Sequence, residues 1–227
     1  MEENAITIIR LSDRSWFRIL YKRMVIDFDP GYEGDFDEKV LPLLKRDGKS
    51  DYIIASHHHF DHVQLEALRR IVKSDTIIIA PTICQSVIPF SFHRLANGET
   101  YRDERITLAT FPSYNTPNGR STRKYHYRGD GNGYVIALGD KRIYFAGDTD
   151  IIADMHNLGE IDVAMLPIGG VYVMDAEEAI EAAAIIEPKY VVSMHETDVF
   201  TTNFEVGIKA LGIRPIILEV GESFRIA

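Results

Sequence analysis

The 227-residue chain predicts an α/β fold in which mixed β-sheets are flanked by helices. Three observations support this prediction. Short apolar runs typical of strands fill the first part of the chain, strand-like and helix-like segments alternate in the last third, and the connections are short. This order fits mixed sheets covered by helices better than an all-α bundle or a plain β-sandwich. At this length we expect one domain over residues 1–227.

Turn residues and hydrophobic spacing place the individual elements. Helices are predicted over 37–45, 63–73 and 175–187, the first from apolar residues at helical spacing. Asp175 is the expected N-cap of the third helix, and Pro188 follows its end. Strands are predicted over residues 5–10, 15–21, 24–28, 52–56, 76–80, 106–111, 134–138, 142–148, 162–166 and 190–194.

Composition argues against several classes of protein. The net charge of −9 weighs against nucleic acid or a membrane surface as a partner. With 45% hydrophobic and 26% charged residues, the chain has an ordinary globular composition. The single cysteine, Cys84, leaves no intramolecular disulfide and fits a reducing compartment. The sequence has neither a signal-peptide-like start nor an apolar run of bilayer length, so a cytoplasmic location is expected.

Residues 56–62 read Ser-His-His-His-Phe-Asp-His and directly follow a predicted strand. Alternate side chains of an extended chain point the same way, so His57 and His59 project together. Asp61 and His62 lie where the chain turns toward the next helix and can face a second position. Imidazole and carboxylate groups at this density favour divalent cations, and the spacing predicts two neighbouring metal positions.

Further candidate ligands lie at other strand or loop ends. His195 follows the strand predicted over 190–194, and Asp148 ends the run over 142–148 beside the permissive Gly147. His126 lies in a loop rich in glycine and arginine. Histidine and aspartate at several strand ends are typical of a site at one edge of a sheet.

Three motifs in this order resemble the metallo-β-lactamase superfamily: SHHHFDH at 56–62, GDTD at 147–150 and MHET at 194–197. The segment 166–179 resembles a branch of small metal-dependent hydrolases that includes ascorbate-6-phosphate lactonases. The resemblance implies a four-layer αββα sandwich, with two mixed β-sheets flanked by helices. It also implies a dinuclear metal site at one edge of the sheets.

The resemblance also implies a role for each candidate ligand. The first metal would be bound by His57, His59 and His126, the second by Asp61, His62 and His195, and Asp148 would bridge both. His126 departs from the superfamily pattern, in which this histidine often follows a strand directly. His93 is the alternative for that position.

Such a ligand set predicts hydrolysis by a metal-bridging hydroxide, with Asp61 and Asp148 as catalytic residues. Two divalent metal ions are expected, zinc first and manganese or iron as alternatives, because the donors are nitrogen and oxygen without thiolate. The substrate is expected to be a small anionic lactone or ester. A phosphodiesterase or nuclease, a non-catalytic binding protein and a diiron oxidoreductase are the alternatives.

The turn-rich stretch over residues 112–133 is locally basic in an acidic chain. Its residues Arg120, Arg123 and Lys124 are candidate contacts for an anionic group of the substrate. The alternative is a solvated loop whose charges contribute only solubility.

Overall fold

The computed structural model describes residues 4–32, 39–196 and 201–226. The chain divides into two compact units. Unit 1 comprises residues 1–94 and 218–227, and unit 2 comprises residues 95–217. Each unit contains one seven-stranded mixed sheet, here called sheet A in unit 1 and sheet B in unit 2. The expectation of one domain over residues 1–227 stays a prediction.

Sheet A has the strand order β14-β1-β2-β3-β4-β5-β6. The first four strands in this order pair antiparallel, and the pairs from β3 to β6 are parallel. Its strands are β1 (Ile6–Arg10), β2 (Phe17–Tyr21), β3 (Met24–Phe28), β4 (Tyr52–Ile54), β5 (Ile77–Ala80), β6 (His93–Arg94) and β14 (Ser223–Ile226).

Helices α1 (Val40–Asp47) and α2 (Leu65–Ile71) belong to unit 1. Leu68 and Ile71 of α2 are buried and form one apolar cluster with Ile53 of β4. Each fully buried side chain of this size contributes about 1.5–3 kcal/mol. The cluster therefore fixes α2 directly after residues 56–62.

A buried ion pair links neighbouring strands of sheet A. Arg18 Nη2 donates to Asp27 Oδ2 at 2.8 Å, and neither side chain is exposed. Trp16 Nε1 and Ser50 Oγ also donate to this carboxylate, at 2.8 and 2.5 Å. Removing one partner of such a pair costs about 3–5 kcal/mol, because the other charge is left buried.

Sheet B has the strand order β13-β12-β11-β10-β9-β8-β7. The pairs from β13 to β10 are parallel, and those from β10 to β7 are antiparallel. Its strands are β7 (Thr100–Arg102), β8 (Thr107–Ser113), β9 (Gly131–Leu138), β10 (Lys141–Phe145), β11 (Val163–Pro167), β12 (Tyr190–Met194) and β13 (Arg214–Ile216).

Helix α3 (Ala176–Ile186) packs against β11 and against α4 (Thr201–Ala210). The Asp175 side chain accepts a hydrogen bond from Glu178 N at 2.8 Å, so the predicted N-cap is confirmed. Within the described part of the chain, no helix is both long and apolar enough to cross a bilayer.

The predicted strands and helices are found with shifted ends. The helix predicted over 37–45 runs from Val40 to Asp47, and Asp37 and Glu38 lie outside the described residues. Helix α4 was not predicted. The strands β6, β7, β13 and β14 were not predicted either, because each spans only 2–4 residues. Segments this short show no alternation of apolar and polar residues.

Strand direction determines which residues share an edge within each sheet. Because β3 and β4 are parallel, Asp29 and residues 56–62 follow strand ends at the same edge of sheet A. In sheet B, β10 and β12 run parallel through β11, so Asp148 and His195 also share an edge. β8 runs in that direction too, which brings the loop containing His126 to this edge.

Candidate metal centre

In unit 1, the candidate ligands lie in residues 56–62, here called the histidine loop. His57 Nε2 lies 3.0 Å from His59 Nδ1, and the ring centroids of His57 and His62 are 4.1 Å apart. His62 Nε2 lies 3.7 Å from Asp61 Oδ2. His57 and His62 are buried, and Asp61 is half-buried. The structure thus brings together all four ligands predicted in this loop.

Asp29 supports the histidine loop from the end of β3. Its carboxylate is fully buried and accepts from His62 Nδ1 at 2.7 Å and from Ser56 Oγ at 2.6 Å. Ser56 Oγ in turn lies 2.9 Å from His57 Nδ1. Asp29 therefore fixes the Nδ1 side of both rings and directs their Nε2 atoms away from itself.

Burial raises the pKa of Asp29, and the hydrogen bonds from His62 and Ser56 oppose that rise. The backbone of Asp29 has a left-handed φ of 44°, which is uncommon outside glycine. Gly31, two residues on, lies so close to the Asp61 backbone that a Cβ atom would overlap it. This close approach requires glycine and fixes Asp61 against the end of β3.

In unit 2, the candidate ligands are His126, Asp148 and His195, here called the unit 2 triad. The Nε2 atoms of His126 and His195 each lie 3.3 Å from Asp148 Oδ2. All three side chains are buried. His195 has a left-handed φ of 54° at the end of β12, as Asp29 has at the end of β3. Three donor atoms therefore converge within unit 2, although their residues are far apart in sequence.

The ring of His126 is oriented by Asn115 and Tyr172. Its Nδ1 atom lies 3.1 Å from Asn115 Oδ1 and 3.1 Å from the carbonyl oxygen of Tyr172. A carbonyl oxygen only accepts hydrogen bonds, so Nδ1 is a donor here and Nε2 is the nitrogen directed toward Asp148. Asn115 Oδ1 also accepts from His126 N at 3.0 Å, which fixes the backbone together with the ring.

Asp150 anchors the loop that leads to His126. Its fully buried carboxylate accepts from Thr116 N at 2.8 Å, Asn115 Nδ2 at 3.3 Å and Lys124 Nζ at 2.9 Å. Gly119 lies so near this carboxylate that a Cβ atom would overlap it. Asp150 is therefore a support for the loop and for Asn115.

Comparison with known proteins identifies the family. Residues 9–195 match a family model described as a beta-lactamase superfamily domain. A metal-dependent hydrolase named UPF0173, from Carboxydothermus hydrogenoformans, is 30% identical over 207 residues, covering 86% of this chain and 89% of that protein. The chain belongs to the UPF0173 metal-dependent hydrolase family.

Solved structures agree with this assignment. A Parabacteroides distasonis protein assigned as a metal-dependent hydrolase is 31% identical, with a TM-score of 0.83 over 93% of this chain and 92% of that one. Igni18, a metallo hydrolase from Ignicoccus hospitalis, has a TM-score of 0.81 at 23% identity and covers 99% of both chains. The predicted metallo-β-lactamase fold and superfamily are therefore confirmed, and the lactonase branch stays a prediction.

The side chains of this hydrolase suit a divalent metal ion. Three histidines have Nδ1 beside an oxygen: His57 beside Ser56, His62 beside Asp29, and His126 beside Asn115 and Tyr172. Metal-binding histidines characteristically donate one ring N–H in this way and bind through the other nitrogen. Cys84 is buried in the apolar cluster of unit 1, where burial raises the pKa of its thiol, so it is not a thiolate ligand.

The alternative ligand His93 lies on β6 with its side chain exposed, whereas His126 is buried beside Asp148. This difference favours His126. His156 is exposed on a short 3-10 helix, Ala153–Asn157. Neither His93 nor His156 is among the ligands brought together in the hydrolase.

The basic residues of the loop over 112–133 have different partners. Arg120 contacts Glu177 and also Glu181, the latter at 2.5 Å, and Lys124 contacts Asp150 at 2.9 Å. Arg123 lies on the ring of Tyr172, with its Cζ atom 5.8 Å from the ring centroid. The prediction that these three residues contact an anionic substrate stays a prediction.

Asp29 and Asn115 are the functional residues that sequence analysis missed. Neither residue was singled out from the sequence as a ligand or a support. A signal was present in both cases, because each polar residue follows the end of a strand: Asp29 after Phe28, and Asn115 after Ser113. Strand pairing was needed to show that these ends lie beside those of the ligands.

Proposed function

We propose that this hydrolase binds two divalent metal ions and cleaves a small anionic lactone or ester. His57, His59 and His126 would bind one ion and Asp61, His62 and His195 the other, with Asp148 binding both. Zinc is the first choice, because imidazole and carboxylate donors without thiolate suit it, and manganese or iron are alternatives. When bound, the pair of ions supplies an activated hydroxide and polarises the oxygen of the electrophile.

The observation that supports this proposal best is the convergence of two histidine Nε2 atoms on one Asp148 oxygen, at 3.3 Å each. For His126, the opposite ring nitrogen bears a proton held by Asn115 and Tyr172. The hydrogen bonds of the folded chain thus orient these donor atoms, which lowers the cost of ordering them on metal binding.

The two catalytic aspartates would act on the attacking water. An ionised carboxylate only accepts hydrogen bonds, so Asp61 and Asp148 would hold the protons of the water and orient its lone pair toward the carbonyl carbon. Neither role requires a protein nucleophile. Cys84, the single cysteine, lies in the apolar cluster of unit 1.

An ester-like substrate is favoured over a phosphodiester by the charge of the chain. A net charge of −9 disfavours a polyanion such as nucleic acid, whereas a small anion can be recognised by a few local cations. The resemblance of residues 166–179 to lactonases supports the same choice.

A two-step experiment tests this function. Metal content is first measured by mass spectrometry in protein purified without added metal, and that form is then assayed on a sugar-acid lactone and on bis(p-nitrophenyl) phosphate. We expect two ions per chain and faster hydrolysis of the lactone. Faster hydrolysis of the phosphodiester would overturn the substrate class, and a metal content of one ion would overturn the dinuclear site.

A further inference from the structure

Arg123 is distinguished from the other basic residues of its loop by its partners. Arg120 and Lys124 contact carboxylates of unit 2, and Arg128 Nη2 lies 4.0 Å from Asp154 Oδ2. Over the described ranges, Arg123 forms no ion pair with a carboxylate, and its side chain is exposed. Arg123 is therefore the cation of this loop whose charge is not already neutralised.

The position of Arg123 is nevertheless fixed. Its backbone N donates to the carbonyl oxygen of Val171 at 2.7 Å, and its Nη1 donates to the hydroxyl of Tyr172 at 3.2 Å. The guanidinium also lies over the Tyr172 ring. The Tyr125 ring packs edge-on against the Tyr172 ring, with the two ring centroids 5.4 Å apart. Stacking on an aromatic ring reduces the entropy that an arginine loses when it binds an anion.

Tyr172 connects Arg123 to the unit 2 triad. The residue whose ring and hydroxyl contact Arg123 is the same residue whose carbonyl oxygen accepts from His126 Nδ1, at 3.1 Å. The cation and the candidate metal ligand are thus positioned by one residue. Tyr172 therefore supports the cation through its side chain and the candidate metal ligand through its backbone, an arrangement that suits a substrate carrying a charged group.

We propose that Arg123, positioned on Tyr172, is the specificity-determining residue that binds the carboxylate or phosphate group of the substrate. This inference rests on the proposed hydrolysis of an anionic ester or lactone. Arg120 and Lys124 instead fasten the loop to α3 and to Asp150. The planar guanidinium suits bidentate binding of either anionic group.

Matched substrates and matched variants test this proposal. Mono-p-nitrophenyl adipate and its methyl ester share the scissile bond and differ only in the charge of the far end. Arg214→Gln is the control, because Arg214 also lies over a tyrosine ring, with its Cζ atom 5.8 Å from the centroid of Tyr190. Tyr190 is at the start of β12, whereas the candidate ligand His195 follows the end of that strand. All proteins are compared in the metal-loaded form, with metal content measured for each.

We expect Arg123→Gln to raise the KM of the carboxylate substrate about 10–100-fold, the loss typical of a hydrogen bond to a charged group. The KM of the methyl ester, kcat for either substrate and metal content should stay unchanged. Arg123→Lys should recover part of the preference, since lysine keeps the charge but not the planar fork. Tyr172→Phe keeps the carbonyl that contacts His126 and should raise the KM only severalfold.

Equal losses on both substrates, an unchanged preference for the carboxylate, or the same effect in Arg214→Gln would overturn the role of Arg123. Binding of inorganic phosphate, measured by calorimetry, separates this role from the proposed reaction. If wild-type protein hydrolyses neither ester, the proposed function fails. The anion site is still supported if phosphate binding is weakened at least about 10-fold in Arg123→Gln but not in Arg214→Gln. Phosphate binding that is absent, or equal in both proteins, contradicts it.

Discussion

The candidate ligand groups of the two units are built in different ways. In unit 1, the ligands lie within seven consecutive residues, and one buried carboxylate, Asp29, orients His62 directly and His57 through Ser56. In unit 2, the ligands come from the ends of two strands and a long loop, spread over residues 126–195. The unit 1 group depends on local sequence, and the unit 2 group depends on sheet topology.

The supporting residues differ in the same way. Asp29 is a charged acceptor that serves His62 directly and His57 through Ser56. Asn115 is a neutral acceptor for His126, and the Tyr172 carbonyl oxygen shares that role. Substitution of the single charged support should therefore have a larger effect than substitution of one of two neutral supports.

Asp148 should give the largest effect, because it is the residue of the unit 2 triad that contacts both histidines. We expect Asp148→Ala to reduce hydrolysis at least about 1000-fold and to remove at least one metal ion per chain. Metal analysis and turnover of the preferred substrate measure these losses. Asp140→Ala, in an exposed turn of unit 2, is the control and should change neither quantity. Full metal content in Asp148→Ala would exclude Asp148 as a ligand.

Asp29→Asn should weaken metal binding about 10–100-fold, because the amide cannot replace a carboxylate that accepts from His62 and Ser56. Competition with a chromogenic chelator measures the affinity.

Asp27→Asn is the matched control: Asp27 is equally buried in sheet A but contacts Arg18 and Trp16. It should lower stability by about 3–5 kcal/mol while the folded protein keeps its metal affinity. Equal metal affinities in both variants would refute the role of Asp29.

Asn115→Ala should weaken metal binding about 10-fold, at the lower end of the range for supporting residues, because the Tyr172 carbonyl still orients His126. The same chelator assay measures this change. Asn132→Ala removes a buried asparagine of unit 2, which donates to Leu95 O at 2.9 Å, and should leave metal affinity unchanged. A loss in Asn115→Ala larger than that in Asp29→Asn would contradict the proposed difference between the two ligand groups.

The smallest effect is expected away from both ligand groups, at Asp162. Burial acts to raise the pKa of this carboxyl, but the hydrogen bonds from Lys189 and Arg142 outweigh it and lower the pKa. A carboxyl with a lowered pKa in the folded state stabilises the protein above its unfolded pKa of about 3.9, and this stability is lost as pH falls through the folded pKa.

Asp162→Asn should therefore lower the free energy of unfolding by about 1 kcal/mol or less at pH 7, because Lys189 is largely exposed to solvent. The melting temperature should fall by no more than about 4 °C. Thermal denaturation at several pH values should show the two proteins converging below the folded pKa. A difference that stays constant into acid would mean that the carboxylate charge is not responsible.

The sequence was most informative where function depends on short-range spacing. The histidine loop was identified as a ligand cluster because alternate extended residues share a side, and its four ligands do lie together. Asp175 was identified as an N-cap for a similar local reason. The short strands β6 and β13 were missed, because strands of 2–3 residues at a sheet edge form through pairing and not through their own pattern.

The supports of the site were missed for another reason. Both residues follow strand ends, but this local signal does not separate Asp29 from other aspartates in turns, or Asn115 from other loop asparagines. Their roles arise because β3 pairs parallel with β4, and because β8, β10 and β12 run in the same direction within sheet B. Strand pairing over long sequence separations decides these neighbours.

The amino-acid sequence alone therefore determined the chemical class of this protein, since the identity and spacing of histidine and aspartate limit what a strand end can bind. Only the tertiary structure decided which oxygen orients the imidazoles of His57, His62 and His126, and which arginine of the loop over 112–133 forms no ion pair among the described residues. Those choices depend on hydrogen bonds of about 3 Å between residues distant in the chain, and such distances are set by packing and strand pairing.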